Sequence, residues 1–199
     1  MRVNVLPRNF YKRSPLVVAP DLLGKVLCYE TKGIRVAGKI IEVEAYLAEK
    51  DPASHSFRGK TKRNATMFGP PGFAYLYFIY GNHICLNVVT EEVGKGSAIL
   101  IRALEPLLGI DKMIENRKKN SPEELTSGPG KLTQAFGLTL KANGLDLTKK
   151  PLWICEQSFL TNSAWVQTPR IGISQAKNLP YRFLIPDSRF VSRSRIYRP

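Results

Sequence analysis

YLYFIYGNHICLNVV, residues 75–89, carries two β-prone runs on either side of Gly81-Asn82. Tyr, Phe, Ile and Val favour strands, and Gly-Asn suits a tight turn, so the stretch predicts a β-hairpin. Strand side chains alternate between faces, which puts Tyr75 and Tyr77 on one side. Aromatic stripes are usually core, and Tyr75 can simply pack. Tyr80, directly before the turn, is harder to bury and can act as a wedge that enters a base stack. Asn82 and His83 fall at the exposed tip. Stacking on an aromatic ring is worth about 1–3 kcal/mol per base, so an aromatic hairpin points to a protein that handles nucleic-acid bases.

Outward from the hairpin, strands and helices are interspersed. Ser14-Pro15 starts a short helix that ends near Gly24. Residues 25–31 and 34–47 read as strands joined by a Lys32-Gly33 turn, and 48–72 as loop. Ser97 opens another strand to Ala103, and a helical pattern runs from Glu105-Pro106 to about Lys118. Residues 121–137 read as helix, glycine turn and helix, and strands are expected near 152–156, 165–173 and 181–185. No regular βαβ alternation emerges. The expected class is α+β: one compact domain over 1–199 with a largely antiparallel sheet and surrounding helices.

Lys plus Arg number 30 against 16 Asp plus Glu, a net charge of +14. Such an excess says nothing of the fold, but it favours a polyanionic partner, nucleic acid ahead of a membrane surface. No apolar run approaches the roughly 20 residues of a membrane span, and MRVNVLPRNFYKRSP lacks the apolar core of a signal peptide. Cys28, Cys85 and Cys155 include no CxxC and read as reduced core thiols of a cytosolic protein. With only His55 and His83 to assist them, a structural zinc is not expected.

The strand IRVAGKIIEVEAY, residues 34–46, holds the candidate chemistry. Alternation groups Ile40, Glu42, Glu44 and Tyr46 on one face, and Ile41, Val43 and Ala45 on the other. The two carboxylates would lie about 7 Å apart along the strand, either in water on an edge strand or buried with a partner. Arg102, inside the apolar run SAILIRALEP, calls for a carboxylate such as Glu42 or Glu44; alternatively it lies at the strand end, reaching solvent or pairing with Glu105. A carboxylate beside Arg102 could polarise a water as general base. Paired Glu42 and Glu44 could instead hold Mg²⁺, but no third acidic ligand is evident. His55 lies in a polar loop where it can meet a base edge, a phosphate or neither. Lys60, Lys62 and Arg63 form a basic patch before the hairpin, and SGPGKL places Lys131 at a helix N-terminus. These groups would flank a nucleic-acid backbone, with a plain solvated surface as the alternative. A non-catalytic RNA- or DNA-binding module would explain the charge and the aromatics, but not Glu44 and Arg102 on apolar strands.

Taken together, IIEVEAYLAEKDPASHS, KRNATMFGPPGFAYLYFIYGNHICLNVV, ILIRALEP, SGPGKL and PRIGIS resemble the alkyladenine DNA glycosylase family. The likeness runs from about Phe10 to Arg189. It implies a curved sheet with a protruding hairpin for DNA insertion, and a monofunctional glycosylase that needs no metal or redox cofactor. It implies a monomer that acts on double-stranded DNA containing damaged purines. Such enzymes flip and excise 3-methyladenine, and often hypoxanthine and ethenoadenine. By motif match, Glu44 would activate the water that attacks C1′, with Arg102 and the backbone of Ile171 helping to position it. Tyr46 and Tyr77 would sandwich the flipped base beside His55, and Asn87 would exclude normal guanine. Tyr80 would fill the gap in the duplex. Asn82 and His83 at the tip, with Lys60, Arg63 and Lys131, would meet DNA. The tip is more polar than in mammalian members, and Gly130 stands where a serine is common.

Overall fold

A computed structural model describes residues 4–79, 81–156 and 164–192. Its strands are β1 (Val26–Thr31), β2 (Ile34–Tyr46), β3 (Ala74–Ile79), β4 (His83–Thr90), β5 (Ser97–Leu108), β6 (Thr148–Lys149), β7 (Leu152–Cys155), β8 (Val166–Thr168) and β9 (Arg182–Leu184). Its α-helices are α1 (Arg8–Tyr11), α2 (Pro15–Leu22), α3 (Ile110–Arg117), α4 (Pro122–Thr126) and α5 (Pro129–Ala135). The strands form one curled antiparallel sheet in the order β3-β4-β5-β2-β1-β7-β6, with β9 pairing β2 and β8 pairing β9. The α+β class expected from the sequence is the one observed.

Alternation sorts the sheet into two working faces. Leu76 of β3, Leu86 and Val88 of β4, Ile99 and Ile101 of β5, and Val43 and Ala45 of β2 join the main core. Val18 and Leu22 of α2 and Leu132 of α5 complete it. Each fully buried Leu or Ile stabilises the fold by roughly 1.5–3 kcal/mol, so this face anchors the sheet. The residues between them, Tyr75, Tyr77, Cys85, Asn87, Leu100, Arg102 and Tyr46, line a cavity on the other side.

β2 is central. Its first half pairs with β1 and Glu42–Glu44 with β9, while β5 runs along its other side. The solvated edge strand is therefore excluded, and both glutamates are fully buried. Strict alternation does not hold throughout. The register passes from Ile40↔Leu104 to Glu42↔Ala103 and then Val43↔Ile101, skipping Ile41 on one strand and Arg102 on the other. Such a bulge rotates the chain locally. Ile40 accordingly packs with Val43 and Ala45 rather than with the glutamates' side, and Ile41 joins Ala103, Leu184, Phe190 and Val191.

β5 also differs from expectation, continuing through Pro106 to Leu108, and the helix waits for Gly109. β4 pairs only with Ser97–Leu100, so Pro106 sits where no neighbour on that side needs its N–H. Leu107 and Leu108 are exposed, an apolar pair that imitates a helix face. The thiols are free and buried as expected, although Cys28 and Cys155, distant in sequence, bring their sulfurs to 4.0 Å on β1 and β7.

Candidate active site

Glu44 has no exposed surface, yet both its oxygens have donors. Oε1 accepts the Ile171 N–H at 2.7 Å. Oε2 accepts the Tyr46 hydroxyl at 2.9 Å and pairs with Arg102 Nη1 at 3.2 Å. Arg102 Nε donates to Glu42 Oε1 at 3.1 Å, so one guanidinium bridges the two carboxylates of this strand. Glu42 also accepts from Arg182 Nε and from the N–H and hydroxyl of Ser192, each at 2.7 Å. Two carboxylates and two guanidiniums cancel in charge, which is the condition for burying them. Burial opposes charge on Arg102, but Glu44 and then Glu42 hold its guanidinium above the ordinary value. Burial, and next the charge of Glu44, push the Tyr46 hydroxyl well up, so Tyr46 stays a donor. Glu105 is not Arg102's partner; it pairs with Lys39.

Beside this cluster lies a cavity of about 560 Å³, within the usual range for small-molecule sites. Tyr46, His55, Tyr77, Asn87, Arg102 and Ile171 all line it, so the sequence-selected pocket residues converge. The His55 ring stands edge-on to Tyr77, with centroids 4.4 Å apart. Its Nδ1 lies 3.1 Å from the Tyr75 hydroxyl. Tyr75 is thus more than packing: it stacks on Tyr77 at 5.3 Å and holds His55 from behind. Burial, and then the charge of Arg63, lower the affinity of His55 for a proton. Asn87 Nδ2 donates to the Tyr75 carbonyl at 3.3 Å, which fixes a buried amide on the cavity wall.

The groups expected to face a nucleic-acid backbone separate. Lys131 and His83 line the cavity, and Lys131 Nζ donates to Ser127 Oγ at 3.4 Å. Asn82 and Lys60 are exposed. Arg63 is turned toward the hairpin, donating to the Phe78 carbonyl at 3.1 Å with its guanidinium 5.7 Å from the Tyr77 ring centroid. Tyr80 lies outside the described residues. The two departures noted in the sequence touch each other: a Cβ on Gly130 would meet His83 Cβ at 3.2 Å, so a glycine there gives the histidine its place. Among the described residues, no three His, Cys, Asp or Glu side chains converge as a metal site needs. No helix of these residues is long and apolar enough to cross a membrane.

Inspection of the sequence missed Arg182, Ser192, Asp51 and Arg170. Arg170 and Asp51 form a fully buried ion pair beside Tyr46. Both lie within quoted motifs, Arg170 in PRIGIS and Asp51 in IIEVEAYLAEKDPASHS, but nothing local marks them as partners.

The model of the methylpurine-DNA glycosylase family matches residues 9–189. A protein of Carboxydothermus hydrogenoformans named "Putative 3-methyladenine DNA glycosylase" is 52% identical, over 95% of this chain and 99% of its own. A protein of the same name from Methanoculleus marisnigri is 51% identical, over 94% and 98%. With nearly the whole chain matched and the aromatic cavity and buried carboxylate of the motifs in one place, the protein belongs to the methylpurine-DNA glycosylase family.

Proposed function

We propose that this glycosylase flips 3-methyladenine out of duplex DNA and excises it by water attack at C1′, leaving an abasic site. The observation that carries this is Glu44: a buried carboxylate whose three donors, Tyr46, Arg102 and Ile171, all line the aromatic cavity. Tyr46 and Tyr77 offer faces for a flipped purine, and His55 an edge. Glu44 takes a proton from water as its oxygen bonds to C1′. The N-glycosidic bond breaks through an oxocarbenium-like sugar, and its electron pair leaves with the purine. A 3-methylated adenine is cationic in the nucleotide and departs neutral. Hypoxanthine and ethenoadenine start neutral and need a proton as they leave, so they are the slower substrates. Arg102 orients the carboxylate and its water. Asn87, held by the Tyr75 carbonyl, restricts which purines enter. Tyr80 fills the vacated duplex position, and Asn82, His83, Lys60, Arg63 and Lys131 meet the DNA around it.

The test is a set of duplexes carrying 3-methyladenine, hypoxanthine, ethenoadenine or no lesion, assayed for free base in the presence of EDTA. Release of 3-methyladenine, slower release of the neutral lesions and none from undamaged DNA is the expected result. Binding without release from any lesion would overturn the proposal.

A further inference from the structure

Arg170 directly precedes Ile171, the residue whose N–H meets Glu44. Its side chain is fully buried. Nη1 and Nη2 grip the two oxygens of Asp51 at 2.5 and 2.8 Å. Nη1 also donates to the Ala45 carbonyl at 2.9 Å. The guanidinium carbon stands 4.6 Å from the centroid of the Tyr46 ring and 5.3 Å from that of Tyr181. Asp51 in turn accepts the N–H groups of Leu47 at 3.3 Å and Ala53 at 3.1 Å. Its own carbonyl accepts the Ser54 N–H at 2.8 Å, so it orders the loop that presents His55. Three stretches of chain therefore meet at one guanidinium: the end of β2 with Glu44 and Tyr46, the loop with His55, and the segment with Ile171.

We propose that Arg170, locked to Asp51, is the positioning residue of this active site: it sets where the Ile171 N–H meets Glu44 and where the Tyr46 ring stands. It touches no reacting atom and acts through those groups. This role rests on Glu44 being the general base. A fully buried ion pair is poor value for stability alone, since an apolar replacement of similar volume is often neutral or better. What the pair supplies is direction, because the planar fork fixes angles as well as distances. A lysine keeps the charge opposite Asp51 but loses the fork.

The experiment compares full-length wild type, Arg170→Met, Arg170→Lys and Glu44→Gln. It measures thermal melting, affinity for a duplex with an uncleavable abasic analogue, and single-turnover release of 3-methyladenine. Arg170→Met should keep duplex affinity within about threefold while release falls about 10²-fold, the cost of a displacement of ~1 Å. Arg170→Lys should recover part of that loss. Should Arg170→Met fail to fold, Arg170→Lys decides, with release about tenfold below wild type at wild-type affinity. Release at the wild-type rate by a folded Arg170 variant overturns the proposal, as does an equal loss of affinity and rate. The Glu44 assignment falls separately, by wild-type release from Glu44→Gln, whatever the Arg170 variants do.

Discussion

His55 shows how one ring is set by its surroundings. Burial, and behind it the charge of Arg63, push its pKa below the ordinary 6.5. The unfolded chain therefore takes up this proton more readily than the folded one. The stability that goes with a neutral His55 is complete above pH 6.5 and is lost as pH falls below it. His55→Gln cannot titrate, so it should lose less stability than wild type between roughly pH 7 and 5 in urea denaturation. Parallel stability curves for the two proteins would contradict a depressed His55. At this scale much of the site was legible. Glu44, Arg102, Tyr77 and Asn87 are polar or aromatic residues at period two within apolar strands, a pattern that marks a buried working face. Asp51, Arg182 and Ser192 were not legible. Their partners Arg170, Glu42 and Glu42 lie 119, 140 and 150 residues away, and no local pattern encodes such a pairing.

At the scale of the element, β2 ties the site to the fold. Glu42 on this strand gathers Arg102 of β5, Arg182 of β9 and the backbone of Ser192. Removing its carboxylate leaves two buried guanidiniums short of a counter-charge. Glu42→Ala should therefore destabilise the protein by about 3–5 kcal/mol, read from urea denaturation. A loss below about 1 kcal/mol would mean that the arginines find other partners. The strand itself was readable from its β-branched run, but the bulge at Ile41 was not. A skipped residue is fixed by the pairing with β5, which strand periodicity does not report. The same limit explains β5. Its extension past Pro106 depends on β4 having already ended, a fact of the neighbouring strand and not of the sequence around the proline.

At the scale of the whole molecule, one curled sheet separates two tasks. The face toward α2 and α5 holds the fold together, and the opposite face carries the aromatic cavity and the charge-balanced glutamates. Among the described residues, the buried charges Glu42, Glu44, Asp51, Arg102, Arg170 and Arg182 cancel, so they add nothing to the net charge of +14. A net positive charge of this size favours a polyanion such as DNA. The class and the sheet were legible because the strands are long and strongly patterned. The pairing order was not, since β9 returns to β2 from the far end of the chain. The central claim is that Glu44 activates the water. The most direct test is single-turnover release of 3-methyladenine by Glu44→Gln, with duplex affinity and folding measured alongside. The account predicts wild-type affinity with release slowed about 10²–10⁴-fold, the usual contribution of a general base. A folded Glu44→Gln that releases the base at the wild-type rate would contradict it.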